Sequence, residues 1–133
     1  MSQSFESICG NVVDVIARRI VPARLTIRDG LIVDIEETAD AESPHFILPG
    51  FVDAHIHIES SMLLPSQFAR AATVHGTVAT VSDPHEIANV LGVPGIQYML
   101  ADAGRAPLKI CFGVPSCVPA TRFESAGAVI DAQ

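Results

Sequence analysis

Hydrophobic and polar positions change their rhythm once along this chain, at Pro49-Gly50. Before that point the pattern alternates in short runs. Ile8 to Ile16 carries Val13 and Val15 in alternation, and Arg24-Leu25-Thr26-Ile27-Arg28 alternates cleanly. Asp29-Gly30 follows, then Leu31-Ile32-Val33-Asp34-Ile35-Glu36. Asp-Gly between two β-rich runs predicts a two-residue hairpin, because both turn positions need positive φ. Ala39 to Ser43 reads as a small polar connection and Phe46-Ile47-Leu48 as another short strand. Residues 1–48 are therefore expected to form a small β-sandwich-like subdomain.

From residue 49 to 133 the period switches between strand and helix. The pattern predicts a strand over Phe51–Ile58 and a helix over Pro65–Val74, with Pro65 in its first turn and Gly76 after its end. Thr77–Ser82 reads as a second strand. Glu86–Leu91 and Pro94–Ala103 read as helix, broken at Gly92 and stopped at Gly104, and Leu108–Val114 reads as a third strand. Strands alternating with helices argue for an α/β fold with parallel pairing, here about three βα units.

The first of these strands carries the most informative residues. At period two, Val52, Ala54, Ile56 and Ile58 fall on one face, and Asp53, His55, His57 and Glu59 on the other. Two imidazoles between two carboxylates are costly to bury unless something compensates them. A divalent cation would: neutral imidazole nitrogens are good ligands, and two on one strand face converge on one point. The carboxylates can orient the rings or join the coordination shell. A bare His-x-His pair also occurs as two surface histidines, but the Pro-Gly turn before it and the apolar opposite face favour the metal reading. Each later strand is also followed by polar chemistry: Asp83, His85 and Glu86 after the second, Ser116 and Cys117 after the third. In parallel α/β folds, sites gather at the carboxyl ends of the strands. Asp83 could equally cap the following helix.

Composition narrows the partners. The 133 residues are 49% hydrophobic and 17% charged, enough for one ordinary domain with a core. Six Phe, one Tyr and no Trp offer little for stacking nucleic-acid bases, and a net charge of −7 disfavours nucleic acid and anionic membranes. No run approaches the ~20 apolar residues that cross a bilayer. The polar start, Met1 to Ser7, is unlike a secretion signal. Three cysteines without a Cys-x-x-Cys spacing suggest reduced thiols in the cytoplasm.

Taken together, a β-subdomain leading into Pro-Gly-Phe-Val-Asp-Ala-His-Ile-His resembles the entry into the metal-dependent amidohydrolase superfamily. His55–Met62, His75-Gly76-Thr77, Asp83–Gly92 and Pro115–Thr121, in that order, resemble its adenine deaminase branch. The resemblance covers about residues 8 to 130. It implies the start of a (β/α)8 TIM-type barrel and hydrolysis of adenine, a purine base, to hypoxanthine and ammonia in purine salvage. It also implies a binuclear site of manganese or iron, with zinc possible, in a homo-oligomer. Bound metal would lower the pKa of water to supply hydroxide near neutral pH. By match to the motif, His55 and His57 are metal ligands and Asp53 orients them. His85 and Glu86 are catalytic candidates, and Glu59, Asp83 and Ser116 line the cavity. Leu64 departs from a common Thr, and Val78-Ala79 from a Thr-Thr run. A (β/α)8 barrel takes about 250 residues, so residues 49–133 supply roughly a third of one. The bridging carboxylate, further His ligands and late-strand Asp of the family would lie beyond. The expectation is an incomplete fragment, inactive alone. The alternatives are a piece of another amidohydrolase, such as a cyclic-amide hydrolase or deacetylase, and a non-catalytic truncated product.

Overall fold

The computed structural model describes residues 5–41 and 43–131, so the opening residues 1–4 of the polar start lie outside it. It contains two compact units that divide between Pro49 and Gly50.

In the first unit, β1 (Phe5–Asp14) and β2 (Arg19–Arg28) pair antiparallel over their whole length, with Val12 opposite Val21. β3 (Leu31–Glu37) pairs antiparallel with β2, and β4 (Phe46–Ile47) runs parallel to β1. The sheet order is β3-β2-β1-β4. The hairpin falls at Asp29-Gly30, whose φ values of 52° and 78° are those of a type I′ turn, as predicted. Ala23, Leu25 and Ala41 form the buried centre. Arg19 bonds both carboxylate oxygens of Glu37, at 3.2 and 2.5 Å, and its guanidinium is raised above its ordinary range chiefly by that bond. The unit is one sheet rather than a sandwich among the described residues. β3 is exposed at all seven positions.

The second unit is mixed α/β. Its three parallel strands, β5 (Phe51–Ile56), β6 (Thr77–Ser82) and β7 (Lys109–Phe112), lie in the order β5-β6-β7. Helix α1 (Pro65–Thr73) connects the first two strands, and α2 (His85–Leu91) with α3 (Val93–Ala103) the last two. Pro65 sits in the first turn of α1 and Gly92, at φ 64°, separates α2 from α3. Helix α1 has no cap of its own, since Leu64 precedes it. Instead the buried Asp102 of α3 accepts from the Ser66 backbone N–H at 2.7 Å and from its hydroxyl at 3.1 Å. No helix among the described residues is long and apolar enough to cross a membrane.

The pattern predicts a first βα strand at the sheet centre, running to Ile58, with Val52, Ala54 and Ile56 buried, and all three expectations are corrected. β5 is an edge of the three-stranded sheet and β6 is its centre. The expected apolar face is not buried either: Val52 is 63% exposed and Ala54 is also exposed. The strand also stops at Ile56, two residues early, and Ile58–Ser61 forms a 3₁₀ turn. Ile58 is the apolar residue that does bury, completely, and it does so from the turn. Glu59 consequently leaves the strand face on which alternation had placed it.

Candidate metal centre

The candidate residues collect at the carboxyl ends of β5 and β6 because the two strands are held together past their last residues. The Asp83 N–H donates to the Ile56 carbonyl at 2.9 Å, and the Gly113 N–H ties β7 to the Ser82 carbonyl at 2.8 Å. His55 lies on β5, His57 at the start of the 3₁₀ turn, Asp83 just past β6, and His85 and Glu86 in the first turn of α2.

The His57 imidazole touches both of the others. Nε2 of His55 lies 3.2 Å from Nε2 of His57, and the His57 and His85 rings meet edge to face with centroids 4.6 Å apart. The outer nitrogens of His57 and His85 are held by acceptors. His57 Nδ1 lies 2.9 Å from the backbone carbonyl of Asp83. A carbonyl can only accept, so Nδ1 carries the proton and the Nε2 lone pair faces His55. His85 Nδ1 likewise lies 3.0 Å from Asp83 Oδ2, which leaves its Nε2 for a ligand. Such outer partners fix the ring orientation of metal-binding histidines.

Two sets of donor atoms result, each within 4.8 Å of one another: His55, His57 and Asp83, and His57, His85 and Glu86. His57 belongs to both. Asp83 Oδ1, in the first set, is buried and has no hydrogen-bond partner among the described residues. Buried carboxylate oxygens without donors carry a desolvation cost that a cation would offset. The donor set, imidazole with carboxylate, suits zinc, iron or manganese. On both grounds these residues fit a divalent metal.

The other candidates fall elsewhere. Asp53 Oδ1 accepts the backbone N–H of His55 at 3.1 Å, so it steadies the strand rather than a ring. Glu59 Oε1 accepts the Ile87 N–H at 3.3 Å and serves the uncapped start of α2. That is the capping task sequence reasoning had offered to Asp83. Ser116 shares no hydrogen bond with the cluster among the described residues: it is exposed and its hydroxyl lies 3.9 Å from the neighbouring Cys117 Sγ. After β7 the described residues form turns and bends but no further helix or strand. One neighbour was missed. The Ser60 hydroxyl lies 2.6 and 2.5 Å from the two carboxylate oxygens of Glu86.

Comparison with known proteins now bears on this cluster. The profile of the amidohydrolase family matches residues 46–132, which is most of the chain and includes every residue of the cluster. The chain belongs to the amidohydrolase family. Membership implies a divalent metal. Among curated relatives, the adenine deaminase of Methanosarcina barkeri is 61% identical over 124 residues, 93% of this chain and 22% of that protein. That of Salinibacter ruber is 59% identical over 96% of this chain and 23% of its own length. That of Borreliella afzelii is 53% identical over 95% and 23%. The chain therefore spans less than a quarter of the length of these amidohydrolase relatives.

Proposed function

We propose that the chain is the N-terminal, metal-holding portion of an adenine deaminase, which converts adenine and water to hypoxanthine and ammonia in purine salvage in the cytoplasm. The observation that carries this reading is identity of 53–61% to adenine deaminases over more than nine-tenths of the chain. In that setting the parallel strands β5 to β7 are the opening of a (β/α)8 barrel. His55 and His57, through Nε2, hold a divalent metal, with manganese, iron or zinc all suited to the donors. The cation, when bound, activates water at neutral pH and so supplies the nucleophile for purine C6. The chain's own residues supply the rest. The Asp83 carbonyl keeps the His57 proton on Nδ1 and thereby keeps Nε2 free. Asp83 Oδ2 does the same for His85. Glu86, beside His57 and His85, takes a proton at its carboxylate in this reading and passes it toward the departing amine. Asp53 and Glu59 hold the backbone that carries these groups.

The test is a chimera in which residues 1–133 replace the matching segment of the Methanosarcina barkeri adenine deaminase. It should release ammonia from adenine when loaded with manganese, and lose that activity in a His55→Ala, His57→Ala form. A folded, metal-loaded chimera no faster than its double-histidine variant would refute the reading. The 133 residues alone should release no ammonia above that control, because two imidazoles from neighbouring positions leave most of a coordination shell to water.

A further inference from the structure

Resting on the reading above, we propose that Ser60 is a positioning residue that sets the orientation of the Glu86 carboxylate. Its hydroxyl spans both oxygens of Glu86, at 2.6 and 2.5 Å, across 26 residues of sequence. It is the only hydrogen-bond partner of the Glu86 carboxylate among the described residues. A glutamate has several rotatable bonds and keeps one conformation only where a contact or packing fixes it. Glu86 is half-buried and belongs to the donor set formed with His57 and His85, so where its carboxylate points decides which atom it serves.

Ser60 can do this because its own backbone is fixed. It sits in the 3₁₀ turn Ile58–Ser61, whose Ile58 is fully buried. The Ser60 N–H donates to the His57 carbonyl at 3.2 Å, and the Ser61 hydroxyl donates to the Ile58 carbonyl at 2.6 Å. Met62, at φ 59°, closes the turn with its N–H on the Glu59 carbonyl at 2.9 Å. The same turn thus begins at the ligand candidate His57 and grips the first turn of α2 twice. Glu59 holds the Ile87 N–H, and Ser60 holds the Glu86 side chain. The metal-holding strand and the proton-handling helix are thereby set relative to each other by one four-residue turn.

Two measurements test this. The first needs no activity: thermal midpoints of the 133-residue chain with Ser60→Ala, Glu86→Ala and both. The loss caused by Ser60→Ala should vanish when Glu86 is already alanine. Losses that add would overturn the proposal. The second uses the chimera. Ser60→Ala should lower kcat by about 10- to 100-fold, the scale of a side chain misplaced by about an ångström. KM and metal content should stay unchanged, and Ser60→Thr, which keeps the hydroxyl, should restore most of the rate. An unchanged kcat, or equal damage from alanine and threonine, would also overturn it. If the parent chimera were itself inactive, the proposed function would fall, and the midpoint cycle alone would decide whether Ser60 holds Glu86.

Discussion

Ile58 joins the fold to the site, and its truncation is the most direct probe of that link. The side chain is fully buried, and it is the largest such side chain in the described structure. It occupies the first position of the turn that follows His57. Ile58→Ala removes three carbons, worth about 0.8 kcal/mol each in transfer free energy, or roughly 2.4 kcal/mol. The cavity left behind adds to that, giving a total of about 3 kcal/mol, within the usual 2–5 kcal/mol for such truncations. For a unit of this size that corresponds to a fall of roughly 12–24 °C in melting temperature. Ile58→Val, which removes one carbon, should cost about 1 kcal/mol. Urea titration followed by circular dichroism would give the free energies, with metal excluded so that binding does not mask them. The variants should keep the parental urea dependence and shift only the midpoint. An Ile58→Ala midpoint within about 0.5 kcal/mol of the parent, the range of an ordinary surface change, would show that the turn is not anchored by this side chain.

Two further outcomes follow from the geometry. His57 belongs to both donor sets and His55 to one, so His57→Ala should weaken zinc binding by about 10- to 100-fold more than His55→Ala in calorimetric titration; equal losses would argue against a shared ligand. A Cβ at Gly50 would overlap the Val78 side chain, so Gly50→Ala should cost about 1–3 kcal/mol in urea unfolding, and Val78→Ala should recover part of it; additive losses would count against that contact.

Local rules carried the sequence reading where local forces decide the structure. Asp29-Gly30 requires two positive φ values whatever surrounds it, so the hairpin was legible from two residues. The helix start at Pro65 and the break at Gly92 are of the same kind. The end of β5 was not legible. Apolar and polar residues go on alternating through Ile58 and Glu59, but the backbone leaves the strand after Ile56. A period-two pattern cannot show that the buried apolar residue is reached by a turn. The histidines and Asp83 could be grouped from their places after successive strands. The exposure of Val52 could not be foreseen, because alternation says which residues share a face and not whether anything covers it. Ser60 was missed for a related reason. A serine beside another serine carries no signal of a partner 26 residues away, and only the meeting of the turn with α2 creates it. Ser116 follows β7 in a segment with no regular element among the described residues, so its place after a strand does not fix what it faces.

The two outer hydrogen bonds at the histidines differ in how they would fare under mutation. His85 relies on the Asp83 carboxylate, which any substitution at that position other than a close mimic removes. His57 relies on the Asp83 main-chain oxygen, and every amino acid has one. Sequence drift at position 83 can therefore release His85 but has no direct means of changing which nitrogen of His57 holds the proton. The imidazole common to both donor sets has its tautomer written in the backbone, and that setting is heritable independently of the residue that displays it.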